Sequence, residues 1–308
     1  MSRQVFIIGA TGYVGGILAR HVVARGDAVT GLARTGAAAA RLAASGIRPA
    51  PGDLETGLPA VLEAALAADA VIYAAQVAFE KEPPVLGALC DALAGTGKSL
   101  LFLSGSGVML RRTQGAWSAE SFAEDDPFDP EPLALPRVKA ERLVIESARR
   151  GVRAMVIRPP VIWGPGDDGP VAQVYRSVAR TGAACYVAPG LAVYANVHGA
   201  DVAELFSAAL ERGRAGALYH ATAGEIPYRW IAEAVARDLG VATRGLTMAE
   251  AVEVFGPFGA LLQSACSRLR DARTRAELDW RPRHHDMLSL VGEPRLRALA
   301  HSSLASEI

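Results

Sequence analysis

The chain has 308 residues, 51% of them of hydrophobic type, enough to bury a large core as one α/β domain carrying a smaller lobe. Its 32 basic and 32 acidic residues cancel, which removes any electrostatic case for nucleic acid or an anionic membrane as a partner. Cys90, Cys185 and Cys266 are odd in number, far apart and without metal-like spacing, as expected of a reduced cytoplasmic protein, and no uncharged apolar run is long enough to cross a bilayer.

At the start of the chain, Val5-Phe6-Ile7-Ile8 reads as a short buried parallel strand rather than part of a secretion signal. Glycines follow at 9, 12 and 15, and then apolar residues at helical spacing (Val14, Ile17, Leu18, Val22, Val23). A strand, a glycine turn and a helix in that order form a phosphate cradle. The glycines give a tight turn, close backbone approach and close helix–strand packing, while the helix start offers unpaired N–H groups to an anion. The stretch Gly9-Ala10-Thr11-Gly12-Tyr13-Val14-Gly15, spaced Gly-x-x-Gly-x-x-Gly, resembles the short-chain dehydrogenase/reductase superfamily. Within it, the extended branch, the NAD-dependent epimerase/dehydratase family, is the nearest likeness. That resemblance implies a Rossmann-type α/β fold, a doubly wound and mostly parallel sheet with a smaller C-terminal substrate lobe. It also implies a nicotinamide dinucleotide held at Gly9, Thr11, Gly12, Tyr13, Val14 and Gly15.

Gly26 is a stop for the first helix, and residues 28–33 read as the second strand, with Arg34 at its end. In this fold a carboxylate at that position binds the adenosine ribose hydroxyls, whereas an arginine neutralises a 2′-phosphate. No Asp or Glu lies between Thr30 and Ala40, so NADP(H) is the expected cofactor. A helix over 37–44 and a strand over 47–50 lead to Pro51-Gly52-Asp53-Leu54. The resemblance places Asp53 and Leu54 against the adenine; Asp53 equally suits a cap for the segment after it. A helix over 58–67 and a fourth strand over 70–75 follow, whose small Ala74 and Ala75 leave room for the cofactor backbone. After a helix over 83–93, the fifth strand runs from Leu100 to Ser104. In the superfamily a serine or threonine there binds the reacting carbonyl or hydroxyl. Ser104 matches, and Ser106 competes two residues on.

Residues 111–136 are polar, rich in proline and too long for a passive connection, which places them beside a substrate pocket. A helix over 137–150 and a sixth strand over 152–157 follow. The segment from Arg158 to Asp167 (Arg-Pro-Pro-Val-Ile-Trp-Gly-Pro-Gly-Asp) closely resembles the extended family's stretch, in which the first proline, here Pro159, lies near the nicotinamide. Further on, strands are expected over 192–197 and 218–221 and helices over 171–179, 201–212, 227–239, 247–255 and 271–278. His198 reads as structural, His284 and His285 as surface residues, and 302–308 as a frayed tail. The division expected is a dinucleotide-binding domain over 1–165, with 192–221 returning to it, and a substrate lobe from 166–191 and 222–308. Pocket walls fall in 108–132, 163–194 and 255–266. Their apolar and aromatic residues (Trp117, Phe122, Trp163, Phe255, Phe258) suit a substrate less polar than a nucleotide sugar.

One family feature is broken. The superfamily carries Tyr-x-x-x-Lys on the helix before the sixth strand: the lysine holds the nicotinamide ribose and the tyrosine exchanges the proton that balances hydride transfer. Lys139, followed by Ala140-Glu141, matches the lysine and is expected to act with Ser104 in catalysis and to bind ribose. Four residues earlier stands Leu135, and no tyrosine lies between Tyr73 and Tyr175. Pro136 argues against regular helix at 135. The leading reading is an NADP(H)-dependent oxidoreductase acting on a small organic carbonyl or hydroxyl compound. Its proton would come from Ser104, a substrate group, water, or a second-lobe tyrosine (Tyr175, Tyr186 or Tyr194). Nucleotide-sugar epimerisation or dehydration of the usual kind is disfavoured. A non-redox enzyme (dehydratase-, cyclase- or epimerase-like) or a cofactor-binding sensor on the same fold stays open. A small molecule is the expected partner, and a homodimer is compatible with the resemblance.

Overall fold

Strand and helix alternate from the first residues of the computed structural model, which describes residues 2–301; the tail at 302–308 lies outside the described residues. The first half runs β1 (Gln4–Ile8), α1 (Tyr13–Ala24), β2 (Ala28–Ala33), α2 (Gly36–Ala44), β3 (Arg48–Pro51), α3 (Leu58–Ala67), β4 (Ala70–Tyr73), α4 (Glu82–Ala92) and β5 (Ser99–Leu103). A two-residue β6 (Arg111–Arg112) precedes α5 (Leu135–Ser147), β7 (Arg153–Arg158), β8 (Val161–Trp163), α6 (Pro170–Thr181), β9 (Ala184–Val187) and β10 (Val193–His198). The chain continues through α7 (Gly199–Arg212), β11 (Ala217–His220), β12 (Gly224–Pro227), α8 (Tyr228–Leu239), β13 (Thr243–Leu246), α9 (Met248–Ser264), β14 (Ala265–Cys266), α10 (Ala272–Leu278) and α11 (Pro294–Leu299).

Seven strands form one parallel sheet in the order β3-β2-β1-β4-β5-β7-β11. The chain starts in the middle, builds outward to β3, then returns to lay β4 on the other side of β1. Open sheets of this kind bind ligands at that reversal, beyond the carboxyl ends of the strands. The unbroken apolar run of β1 follows from burial on both faces: Val5 and Ile7 enter one core, Phe6 and Ile8 the other. The first core is closed by α1 and α7 (Leu18, Val22, Leu205, Phe206), the second by α3, α4 and α5 (Val61, Leu86, Val144).

The second lobe has its own core around Tyr175, Tyr228 and Ile231, with a small sheet ordered β12-β10-β8 and a parallel pair β13-β9. Within 192–221, β11 joins the large sheet and α7 packs on it, but β10 pairs with β8 and β12 instead. Strands β8, β9, β12 and β13 span three or four residues each, too short to display a period of two, and exist through their pairing partners. The helix expected over 247–255 continues to Ser264 across a break at Gly256, whose φ of 74° suits glycine, just before Pro257. Leu135, against expectation, is helical (φ −53°, ψ −43°). A 3₁₀ turn over Pro132–Ala134 leads into α5, so Pro136 falls in a first turn, where its missing N–H is not needed. Among the described residues no helix is long and apolar enough to cross a membrane.

Candidate active site

A long cleft lies over the ends of β1, β2, β4 and β5. It is lined by Gly9, Thr11, Gly12, Tyr13, Val14, Gly15, Arg34, Asp53, Leu54, Ala74, Ala75 and Ser104, all expected from the sequence. The turn that opens it has no room for a side chain at Gly9 or Gly15. A Cβ on Gly9 (φ 96°) would sit 2.6 Å from the Ala74 carbonyl and the Ala75 nitrogen, and one on Gly15 would collide with the Gly9 carbonyl. Helix α1 then starts at Gly12 without a side-chain cap and with no acidic residue in its first turn. The first N–H groups of a helix have no partner within it, so this uncapped start fits an anionic pyrophosphate. Tyr13 contributes more than its backbone: its buried hydroxyl is unpartnered, and burial, with Asp167 nearby, raises the phenol to about 12.

At the β2 end of the cleft, Arg34 is joined by Thr35 and Arg41, which the sequence reading missed. Arg41 belongs to α2, whose start is capped by the Thr35 hydroxyl accepting from Ala38 N at 3.2 Å. Two exposed guanidinium groups thus border one end of the cleft. Asp53 accepts from the backbone N–H groups of Glu55 (2.8 Å) and Thr56 (3.0 Å), which lower its pKa, so it tightens its own turn while lining the cleft.

A second cavity of about 250 Å³ adjoins the first, and Gln76 and Arg137 line both. Its walls are mostly apolar: Phe79, Val108, Leu110, Leu133, Ala134, Pro159, Pro160, Val161, Phe258, Leu261 and Leu262. Pro159 therefore sits in this cavity rather than in the cleft. Of the five aromatic residues expected in the pocket walls, Phe258 alone lines it. Trp163 is buried in the second-lobe core, donating to Asn196 Oδ1 at 3.0 Å, and Phe122 packs beside Val108 and Leu269. Only the C-terminal end of the 111–136 segment (Glu131, Leu133, Ala134) reaches the cavity; its start and middle are stitched to residues 265–269 by the β6–β14 pair and a bridge from Phe122 to Leu269.

Lys139 is exposed and lines neither space. The two positions four apart that do reach the cavity are Leu133 and Arg137. Arg137 lies one helical turn before the buried Glu141, on the same stripe of α5, whereas Lys139 falls between them on another face. That periodicity was the signal available in the sequence. Arg137 pairs with the fully buried Glu82, Nε standing 2.9 Å from Oε2 and Nη2 bonding Oε1, and its guanidinium lies over the Phe79 ring. Burial raises the Glu82 pKa and the arginine opposes that rise.

The two candidate serines part ways. Ser104 donates to Glu141 Oε1 at 2.6 Å, and Glu141 is held by Arg158 at 2.8 and 2.5 Å in a buried ion pair beneath the sheet end. Ser106 lines the second cavity. Among the three second-lobe tyrosines, Tyr175 donates to Asp238 (2.5 Å) and Tyr186 lies under Arg229, both away from the cavity, whereas Tyr194 lines it. His198 caps α7, its Nδ1 accepting from Ala200 N, and stacks on His284, which pairs with Asp201.

The sequence signature of the NAD dependent epimerase/dehydratase family matches residues 5–222. The chain belongs to this family. Its relatives include uncharacterized protein C2A9.02 of Schizosaccharomyces pombe, 30% identical over 296 residues, 93% of this chain and 97% of that protein. Another is a 4-hydroxy-2-methyl-3-oxo-4-farnesyl-3,4-dihydroquinoline-1-oxide ketoreductase of Stigmatella aurantiaca, 29% identical over 72% of this chain and 68% of that one. Among solved structures, DesIV of Streptomyces venezuelae, a dTDP-glucose 4,6-dehydratase with NAD and TYD bound, superposes with a TM-score of 0.75 at 18% identity, covering 96% of this chain and 97% of that one. This epimerase/dehydratase-family protein is of the extended short-chain dehydrogenase/reductase type, a family of NAD(P)-dependent oxidoreductases and related enzymes, and carries its Rossmann-type fold.

Proposed function

We propose that the protein is an NADP(H)-dependent oxidoreductase acting on a small organic carbonyl or hydroxyl compound through a non-standard active site. The observation that carries this reading is the junction of the two spaces: a cleft built to hold a dinucleotide opens, past Gln76 and Arg137, into an apolar cavity with hydroxyl groups at one end. When bound, the nicotinamide supplies or accepts hydride. The chain's residues do the rest. The α1 start holds the pyrophosphate, Asp53 and Leu54 border the adenine, and Arg34 with Arg41 neutralises a 2′-phosphate. Arg137, fixed by Glu82, offers a cation at the junction of the two spaces, which Lys139 does not reach. The ketoreductase relative supports the reaction class, and DesIV is described with NAD, so the preference for NADP(H) rests on Arg34 and Arg41.

A second reading is favoured by one observation: the residues that reach the cavity from the turn before α5 and from its first turn, Leu133, Ala134 and Arg137, include no phenol. That absence suits a non-redox reaction of the dehydratase, cyclase or epimerase kind, or a cofactor-responsive sensor. Fluorescence titration with NADPH and NADH, followed by NADPH consumption over a panel of ketones and aldehydes, separates the two. Turnover is expected; tight NADPH binding without turnover of any carbonyl supports the second reading.

A further inference from the structure

The cavity beside the cleft has one polar end. Ser106, 1% exposed, lines it, and Ser267 Oγ lies 2.9 Å from Ser106 Oγ and 3.1 Å from its carbonyl oxygen. Tyr194 lines the same wall, and its hydroxyl sits close to Gly107, the residue after Ser106, where an added Cβ would be 3.4 Å from the phenolic oxygen; burial raises this phenol and the two serines oppose that rise. Ser106 and Tyr194 therefore bring hydroxyl groups from distant parts of the chain to the wall of a pocket that is otherwise largely hydrocarbon, and Ser267 backs Ser106. The charged residues of that wall are already matched: Arg137 with Glu82, and Glu131 with Arg112 at 2.9 Å. At the mouth, Leu133 and Phe258 are 43% and 60% exposed, an apolar rim that continues the wall toward solvent. A pocket of this composition orients its ligand through a few convergent polar groups and binds the remainder by burial.

We propose that this cavity takes an uncharged, mostly apolar molecule bearing a carbonyl or hydroxyl oxygen, and that Tyr194, backed by Ser106 and Ser267, is the hydrogen-bond donor that holds that oxygen. The inference deepens, and rests on, the reading of the cavity as the substrate half of an NADP(H)-dependent site. Leu133 and Leu135 cannot donate a proton to a substrate oxygen, and Tyr13, whose hydroxyl lies beside Gly164, borders the cleft instead. Tyr194 is the phenol this cavity does contain.

The test uses equilibrium binding by calorimetry, with three probes of one shape: 2-acetylnaphthalene, its hydrocarbon isostere 2-isopropenylnaphthalene, and 2-naphthoate. Wild-type protein should prefer the ketone over the hydrocarbon by about tenfold, the worth of one good hydrogen bond in a dry pocket, and should bind the carboxylate least. Tyr194→Phe should erase the preference by weakening the ketone alone, leaving the hydrocarbon's affinity unchanged. Ser106→Ala, which removes one supporting hydroxyl, should shrink the preference and stands in if the phenylalanine variant does not fold. A preference that survives both substitutions, tighter binding of the naphthoate, or no binding of any naphthalene overturns the proposal. NADPH titrated separately into the same proteins isolates the broader reading. If NADPH does not bind while the ketone preference holds, the cofactor assignment falls and the ligand assignment stands. If NADPH binds and the preference is untouched by either substitution, the reverse is true.

Discussion

The dinucleotide cleft and the apolar cavity beside it are built by different means. The cleft is assembled mainly from strand ends in the first third of the chain, with Arg137 added from α5, and what it offers is largely backbone: the uncapped start of α1 and the close passage over Ala74 and Ala75. The cavity gathers side chains from 76–79, 105–110, 131–137, 159–161, 194 and 258–262, drawn from both lobes. A site made of backbone at fixed spacing tolerates little change in sequence. A site made of side chains on a settled frame can be refitted one residue at a time, which is how one fold comes to serve many substrates.

The largest expected effect tests whether the two regions share a foundation. The buried pair Glu141–Arg158 underlies Ser104 at the cleft, and both residues are nearly inaccessible. Glu141→Ala strands the guanidinium and should cost about 3–5 kcal/mol in urea denaturation, while replacing both residues with apolar ones of similar size should recover most of the loss. A cost under about 1 kcal/mol would mean the pair is not the common floor.

Next comes Gly12→Val. A Cβ there meets only the Gly9 carbonyl oxygen, at 3.4 Å, so the fold should survive while the new side chain fills the cleft. NADPH affinity should drop by roughly a hundredfold or more, about 2.7 kcal/mol, with near-wild-type thermal stability. Retained binding in the folded variant would reduce the loop to a structural turn. Arg34→Ala should then weaken NADPH by roughly ten- to hundredfold and leave NADH unchanged, the worth of a charge-assisted contact to a 2′-phosphate. Equal loss for the two cofactors would remove the basis for the NADP(H) preference.

The smallest effects sharpen the boundary between the regions. Arg137→Gln should lower NADPH affinity by about tenfold. Lys139→Ala should change it by less than about twofold, since an exposed lysine outside both spaces adds little. Leu135→Tyr should not raise carbonyl turnover, because Leu135 is 53% exposed and outside the cavity. A gain of about a hundredfold, the usual scale of general acid catalysis, would restore the standard family geometry to this helix.

The sequence was most legible where chemistry and backbone coincide. The glycine turn, the parallel strands and Arg34 could be placed because strand, turn and helix follow one another without interruption, and the structure puts these residues along one cleft. It was least legible where a side chain's direction decides. Lys139 has the right type and Arg137 the right face, and only the helical stripe ending at the buried Glu141 tells them apart. Ser104 and Ser106 differ by two residues, yet one is tied to Glu141 and the other faces the cavity, a distinction set by partners 37 and 161 positions away. Tyr194 carried no motif. Its place depends on β10 leaving the large sheet to pair with β8 and β12, a tertiary choice invisible in a six-residue strand.

Arg137 borders both spaces, and thermodynamic linkage then governs how they communicate. Whatever factor an occupant of the cleft adds to or takes from the affinity of the cavity, an occupant of the cavity must return to the cleft. A single guanidinium clamped to Glu82 can repay one neighbour by reorienting toward it only at the expense of the other, or favour both by lying still. The two cases differ in the sign of the coupling, so whether the dinucleotide and the small molecule enter in sequence or independently is written into one side chain's freedom to move.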